Sequence, residues 1–237
     1  TYVTFEAPNL SVPDEEYHSE IAVELAKYLR NFLGNIINNK VDPAILVVGL
    51  GNRKVTPDAL GPKTANGILA TRHISGEIAK STGLDKLRPV AVLKTGVTGQ
   101  TGIETGEHLL SVVKRIRPSA VIVIDALASR RLERLGCTLQ ISNTGIAPGA
   151  GVLNHRTKIN EESMGVPVIA LGVPTVVDAV TLATDLLSLD FESDCKYDAV
   201  ILNIGTNDHL TDETYVEGFA TVYREFVKRL NELYPNI

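Results

Sequence analysis

The stretch AILVVGLGNRKVTPDALGP, residues 44–62, decides the fold. Its first seven residues are apolar, β-branched and too few for a buried helix, so they predict a strand covered on both faces. Gly49 and Gly51 break the run, and one carboxylate, Asp58, follows between Pro57 and a helix-forming stretch. Upstream, Tyr17, Ile21, Leu25, Tyr28, Leu29 and Phe32 recur at helical spacing. The local order is therefore helix, buried strand, acid-bearing loop, helix.

The same alternation continues outward. Residues 59–80 read as a helix, 90–94 as a strand, 104–116 as a helix and 120–124, AVIVI, as a strand. Residues 138–142 form a short strand, 143–160 a glycine-rich loop, 166–171 a strand and 175–189 a helix. DAVILNI, 198–204, supplies another strand, and 212–233 a final amphipathic helix. This βαβ rhythm predicts an α/β fold, a mostly parallel central sheet in a three-layer α/β/α arrangement. No linker or repeat divides the chain, so residues 1–237 read as a single domain.

Composition narrows the function classes. With 44% hydrophobic residues among 237, the chain can bury a sizeable core. Its 23 basic and 28 acidic side chains give a net charge of −5, without a basic block. That argues against binding nucleic acid through its phosphates and suits a basic partner better. Cys137 and Cys195 lie outside any metal-binding spacing, which argues against structural zinc or a disulfide framework and points to a reducing cytoplasm. The apolar segment 166–180 is interrupted by Gly172, Pro174 and Asp178. It falls short of the roughly 18 uninterrupted apolar residues of a membrane span. The opening Thr1-Tyr2-Val3-Thr4 has no Met and no signal peptide, and reads as a processed or truncated form.

Ligand chemistry in a parallel sheet gathers at the carboxyl ends of the strands. Asp58 follows the first buried strand there, and Asp125 ends the apolar run VIVI in VIVIDALASR, residues 121–130. A dinucleotide loop does not fit, because Lys54 stands where the third glycine of G-x-G-x-x-G belongs. Neither GNRKVT nor GPKT has P-loop spacing. Two carboxylates at one sheet edge remain. When close together, such a pair tends to share one proton, which makes one a base toward water and the other an acid toward a scissile carbonyl. The alternative for Asp58 is a helix N-cap. For Asp125, whose burial as an unpaired charge would cost several kcal/mol in order of magnitude, the alternative is pairing with Arg130 or Arg131.

Five blocks carry a resemblance: VVGLGNRKVTPDALGPKTANGILATRH (47–73), GQTGIETGE (99–107), IDALASRRLERL (124–135), QISNTGIAPGAGVLNHR (140–156) and GVPVIALGVPTVVDAVTLATD (165–185). In this order they resemble the germination protease family of spore-forming bacteria over about residues 1–185. The resemblance implies an atypical aspartic endopeptidase that degrades small acid-soluble spore proteins in the spore core during germination. It further implies a zymogen with an N-terminal propeptide and assembly as a homotetramer. The family's two catalytic aspartates match Asp58 in TPDALG and Asp125 in IDALAS. The fold is similar to that of hydrogenase maturation peptidases, which bind metal at a related loop. Here no histidine is clearly placed to complete such a site, so neither metal nor cofactor is expected.

Supporting roles are less specific. Asn52 could orient Asp58 or simply make the turn after Gly51; Asp178, in TVVDAV, reads as a cap or a site neighbour. His73, His108, His155 and His209 are scattered among polar residues. The loop 143–160 is a candidate wall of the substrate groove. After about Leu186 the sequence diverges. YDAVILNIGTNDHL (197–210) and FATVYREFVKRLNELYP (219–235) resemble a segment of SGNH esterases, in which the asparagine matching Asn207 donates to an oxyanion. The esterase Gly-Asp-Ser block is absent from the sequence, as is Gly-x-Ser-x-Gly. Beside the endopeptidase stand two other readings, an engineered or recombined α/β chimera acting as a scaffold without catalytic turnover and, more distantly, an SGNH-like esterase.

Overall fold

A computed structural model describes residues 1–38, 43–74, 80, 81, 83, 84, 87–149, 157–177, 221, 224, 225 and 228. Apart from residues 221, 224, 225 and 228, the tail of residues 186–237, with its expected strand and nearly all of its expected helix, lies outside the described residues.

Strand β1 (Tyr2–Glu6) opens the chain, and helix α1 (Glu15–Ile37) follows. The Asp14 carboxylate caps α1 by accepting the Tyr17 N–H at 3.0 Å, and Glu15 and Glu16 place negative charge in the first turn, where the helix dipole favours it. Strand β2 (Ile45–Leu50) is buried along its whole length, as its unbroken apolar run requires. A 3₁₀ turn (Thr56–Asp58) leads into the short helix α2 (Leu60–Asn66). Then come β3 (Val90–Gly96), the four-residue helix α3 (Thr98–Thr101), α4 (Thr105–Ile116) and β4 (Ala120–Ser129). Strand β5 (Thr138–Ser142), helix α5 (Glu161–Met164) and strand β6 (Val168–Val177) complete the described elements.

The six strands form one mixed sheet in the order β1-β5-β6-β4-β2-β3. β6, β4, β2 and β3 run parallel, while β5 is antiparallel to both β6 and β1. Side chains alternate between two cores. On one face Leu46, Val48, Leu50, Val121 and Val123 pack against Leu109 and Val113 of α4 and Met164 of α5. On the other, Ile45, Val47, Ile122, Ile124 and Ile169 meet Leu25, Leu29, Phe32 and Ile36 of α1. Helix, sheet and helix make three layers, as the sequence rhythm predicts.

Four expectations need correction. β1 was not anticipated, although Val3 and Phe5 alternate with exposed residues and pack toward α1. α2 ends at Asn66 rather than running to residue 80. Its continuation is replaced by ties to β3: the Thr71 hydroxyl donates to the Arg88 carbonyl at 2.6 Å and accepts the Val90 N–H at 2.9 Å. β4 continues five residues past Ile124. β6 correspondingly runs through Val177, so Thr175 lies in a strand and not at a helix start; Ser129 and Val177 are partners at the far end of this ladder. The loop 143–160 is partly organised, because Ile146 and Ile159 form an antiparallel bridge.

Candidate active site

The sheet is stepped. β2 stops at Leu50 and β3 at Gly96, partners in register, whereas β4 and β6 extend beyond that level. Asp125 stands at the step: it follows Ile124, the partner of Gly49, and pairs with Gly172 on its other side. The chain leaving β2 turns back over this corner and brings Asp58 with it.

The return begins at Gly51, whose φ of +105° lies in the left-handed region that side chains disfavour. A Cβ at Gly51 would collide with the Asp58 carbonyl and lie 2.8 Å from its Oδ1, so close approach and backbone twist both require glycine. The Val55 N–H then bonds the Asn52 carbonyl at 3.0 Å, and the Asp58 N–H bonds the Val55 carbonyl at 3.0 Å. These turns fold the acid back onto its own loop. The Asn52 N–H donates to Asp58 Oδ2 at 2.6 Å, a charge-assisted bond when the carboxylate is ionised. The N-cap of helix α2 is Ala59, which makes no side-chain cap bond, and Asp58 lies one residue before it. Close packing carries the loop to the second acid. A Cβ on Gly61 would strike the carbonyls of Leu50 and Ile124, the residue before Asp125. The Thr56–Asp58 turn itself lies against β4 and β6.

Asp125 is 7% exposed, and its Oδ1 accepts the Ala126 N–H at 2.9 Å. Arg130 and Arg131, the partners the sequence offers for it, are exposed beyond the end of β4. The Arg131 backbone exchanges hydrogen bonds with the Ser129 hydroxyl. Asp58 is half-buried, so the two acids combine a strand-held, nearly dry carboxylate with a wetter one on a loop.

Asn52 stands where the sequence places it, beside Asp58, but acts through its backbone N–H. Its side-chain Oδ1 accepts from the Lys54 N–H and from Gln100 Nε2, both at 3.0 Å. Asp178 and Asn207 fall outside the described residues, as do His155 and His209. Two contacts to the acid loop escaped the sequence reading. One is Gln100; the other is Thr175, whose hydroxyl donates to the Pro57 carbonyl at 2.6 Å. Gln100 lies in the block 99–107 and Thr175 in the block 165–185, so only their specific partners were hidden. Among the described residues no group of three or more His, Cys, Asp or Glu is placed to hold a metal ion, and no helix is long and apolar enough to cross a membrane.

The family model described as Germination protease matches residues 1–193. The chain belongs to the germination protease family. It is 54% identical over 186 residues to the germination protease of Caldanaerobacter subterraneus subsp. tengcongensis, covering 78% of this chain and 56% of that protein. It is 47% identical over 190 residues to that of Priestia megaterium, with 80% and 50% covered. With the germination protease of Clostridium acetobutylicum the identity is 41% over 218 residues, 88% of this chain and 65% of that protein. The last match takes in more of the chain than residues 1–193 can supply, so likeness to germination proteases reaches into the divergent tail. The chain spans about half the length of most of the curated relatives it matches. Both aspartates, both glycines of the loop and all of the described sheet lie within the part that the germination protease model matches.

Proposed function

We propose that this chain is an endopeptidase acting on small acid-soluble spore proteins during germination, with Asp58 and Asp125 as its acid/base pair. The supporting observation is the stepped sheet, whose short strands end at the level of Asp125 while the loop after β2 carries Asp58 back to the same corner. In this reading one ionised aspartate takes a proton from water, whose oxygen attacks the scissile carbonyl. The protonated aspartate gives its proton to the carbonyl oxygen, and the tetrahedral intermediate collapses as the amide nitrogen is protonated and leaves. No covalent intermediate and no cofactor are called for. The same reading places the protein in the cytoplasm of the spore core and assembles it as a homotetramer, with residues 1–237 forming one domain. Asp178 and Asn207 remain supporting candidates within it.

The test is cleavage of a purified small acid-soluble spore protein by the full chain and by Asp58→Asn and Asp125→Asn. Each substitution should lower turnover by about a thousandfold, within the range of one general acid or base. Wild-type turnover in either variant overturns the pair.

A further inference from the structure

We infer that Gln100 and Thr175 are positioning residues for Asp58, gripping the two ends of the loop that carries it from opposite sides of the sheet step. The inference rests on the acid/base reading above and adds two side chains to it.

The grip at the front is a relay of three bonds. Gln100 Nε2 donates to Asn52 Oδ1 at 3.0 Å, the Lys54 N–H donates to the same oxygen at 3.0 Å, and the Asn52 N–H donates to Asp58 Oδ2 at 2.6 Å. The orientation is determined by chemistry: a backbone N–H can only donate, so the oxygen of the Asn52 amide must face Lys54, and Gln100 must present its nitrogen. Gln100 is exposed and comes from α3, beyond the end of β3, so it packs no core; what it touches is the residue that bonds the carboxylate.

The grip at the back comes from the other flank. Thr175, in β6, donates its hydroxyl to the Pro57 carbonyl at 2.6 Å, one residue before Asp58. Proline has no N–H, so this carbonyl is the only backbone group by which residue 57 can be held through a hydrogen bond. Between the two grips the backbone is already bent by Gly51 and by the turn at Thr56–Asp58. A loop held at Asn52 and at Pro57 has little freedom left for the carboxylate, and the geometry of a reacting group within a fraction of an ångström governs rate more than affinity.

The experiment measures kcat and KM on a purified small acid-soluble spore protein, with a thermal melt, for the full chain and for Gln100→Ala, Gln100→Glu, Thr175→Val, Thr175→Ser and Asp58→Asn. Gln100→Ala and Thr175→Val should each lower kcat about tenfold, the scale of one net hydrogen bond, with KM and the melt unchanged. Thr175→Ser keeps the hydroxyl and should restore kcat; Gln100→Glu sets oxygen against oxygen and should do no better than Gln100→Ala. Unchanged kcat in either alanine or valine variant, a change confined to KM, or a loss that merely follows the unfolded fraction overturns the two-sided grip. If those results come with an inactive Asp58→Asn, the acid/base reading stands and the positioning inference alone fails. Full turnover in Asp58→Asn overturns both.

Discussion

β2 and β4 lie side by side in the sheet, have similar apolar sequences and lead to the two acids by opposite routes. β2 stops at Leu50, bends at Gly51 and delivers Asp58 on a loop held by single hydrogen bonds. β4 runs on, and Asp125 is a rung of its ladder, with Gly172 beside it and Val123 buried two residues before it on the same face. The comparison teaches that one site can be built from a rigid half and an adjustable half. Damage to the bends of the loop should appear in turnover, and damage to the apolar packing of the strand in stability.

The largest expected effect sharpens that contrast at its ends. Asp125→Asn should lower spore-protein cleavage about a thousandfold while leaving the melting temperature at or above that of the wild type, because a neutral amide of the same shape is cheaper to bury than a carboxylate. A lost melting transition would instead make Asp125 a structural residue. Next comes the loop. Gly51→Ala places a Cβ against the Asp58 carbonyl at a positive φ, and kcat should fall about a hundredfold, as for a misplacement of about 1 Å. Normal kcat in that variant would show that the loop does not set the acid's position. On the strand side, Val123→Ala removes a fully buried side chain and should cost about 2 kcal/mol in denaturant melts, with kcat per folded molecule retained. The smallest effect lies away from both halves: Asp14→Ala removes the cap of α1 and should cost about 1 kcal/mol without touching kinetics.

The sequence was legible where a pattern is local. β2 and the first half of β4 show as apolar runs, α4 as a stripe behind the Glu104 cap, and both acids as charges beside such runs. It misled where a neighbour decides. Residues 175–177, Thr-Val-Val, are β-branched and suit a strand, and β4 continues alongside them to pair with Val176 and Val177. Residues beyond Asn66 would suit a helix, but Thr71 binds the start of β3 and draws the chain away. Asp58 before a helix resembles a cap, yet the Asn52 N–H claims its carboxylate. Gln100 and Thr175 could not be found by spacing, because their partners are 48 and 118 residues distant.

That last separation also has a meaning in time. At the roughly 5–20 residues per second of ribosomal synthesis, Thr175 emerges about 6 to 24 s after Pro57, and its strand can join the sheet only later still. Until then the Pro57 carbonyl has to be satisfied by water, and the acid that follows it stays unset. Whatever the core has gained by that point, a nascent chain carries the Asp58 loop without its second anchor.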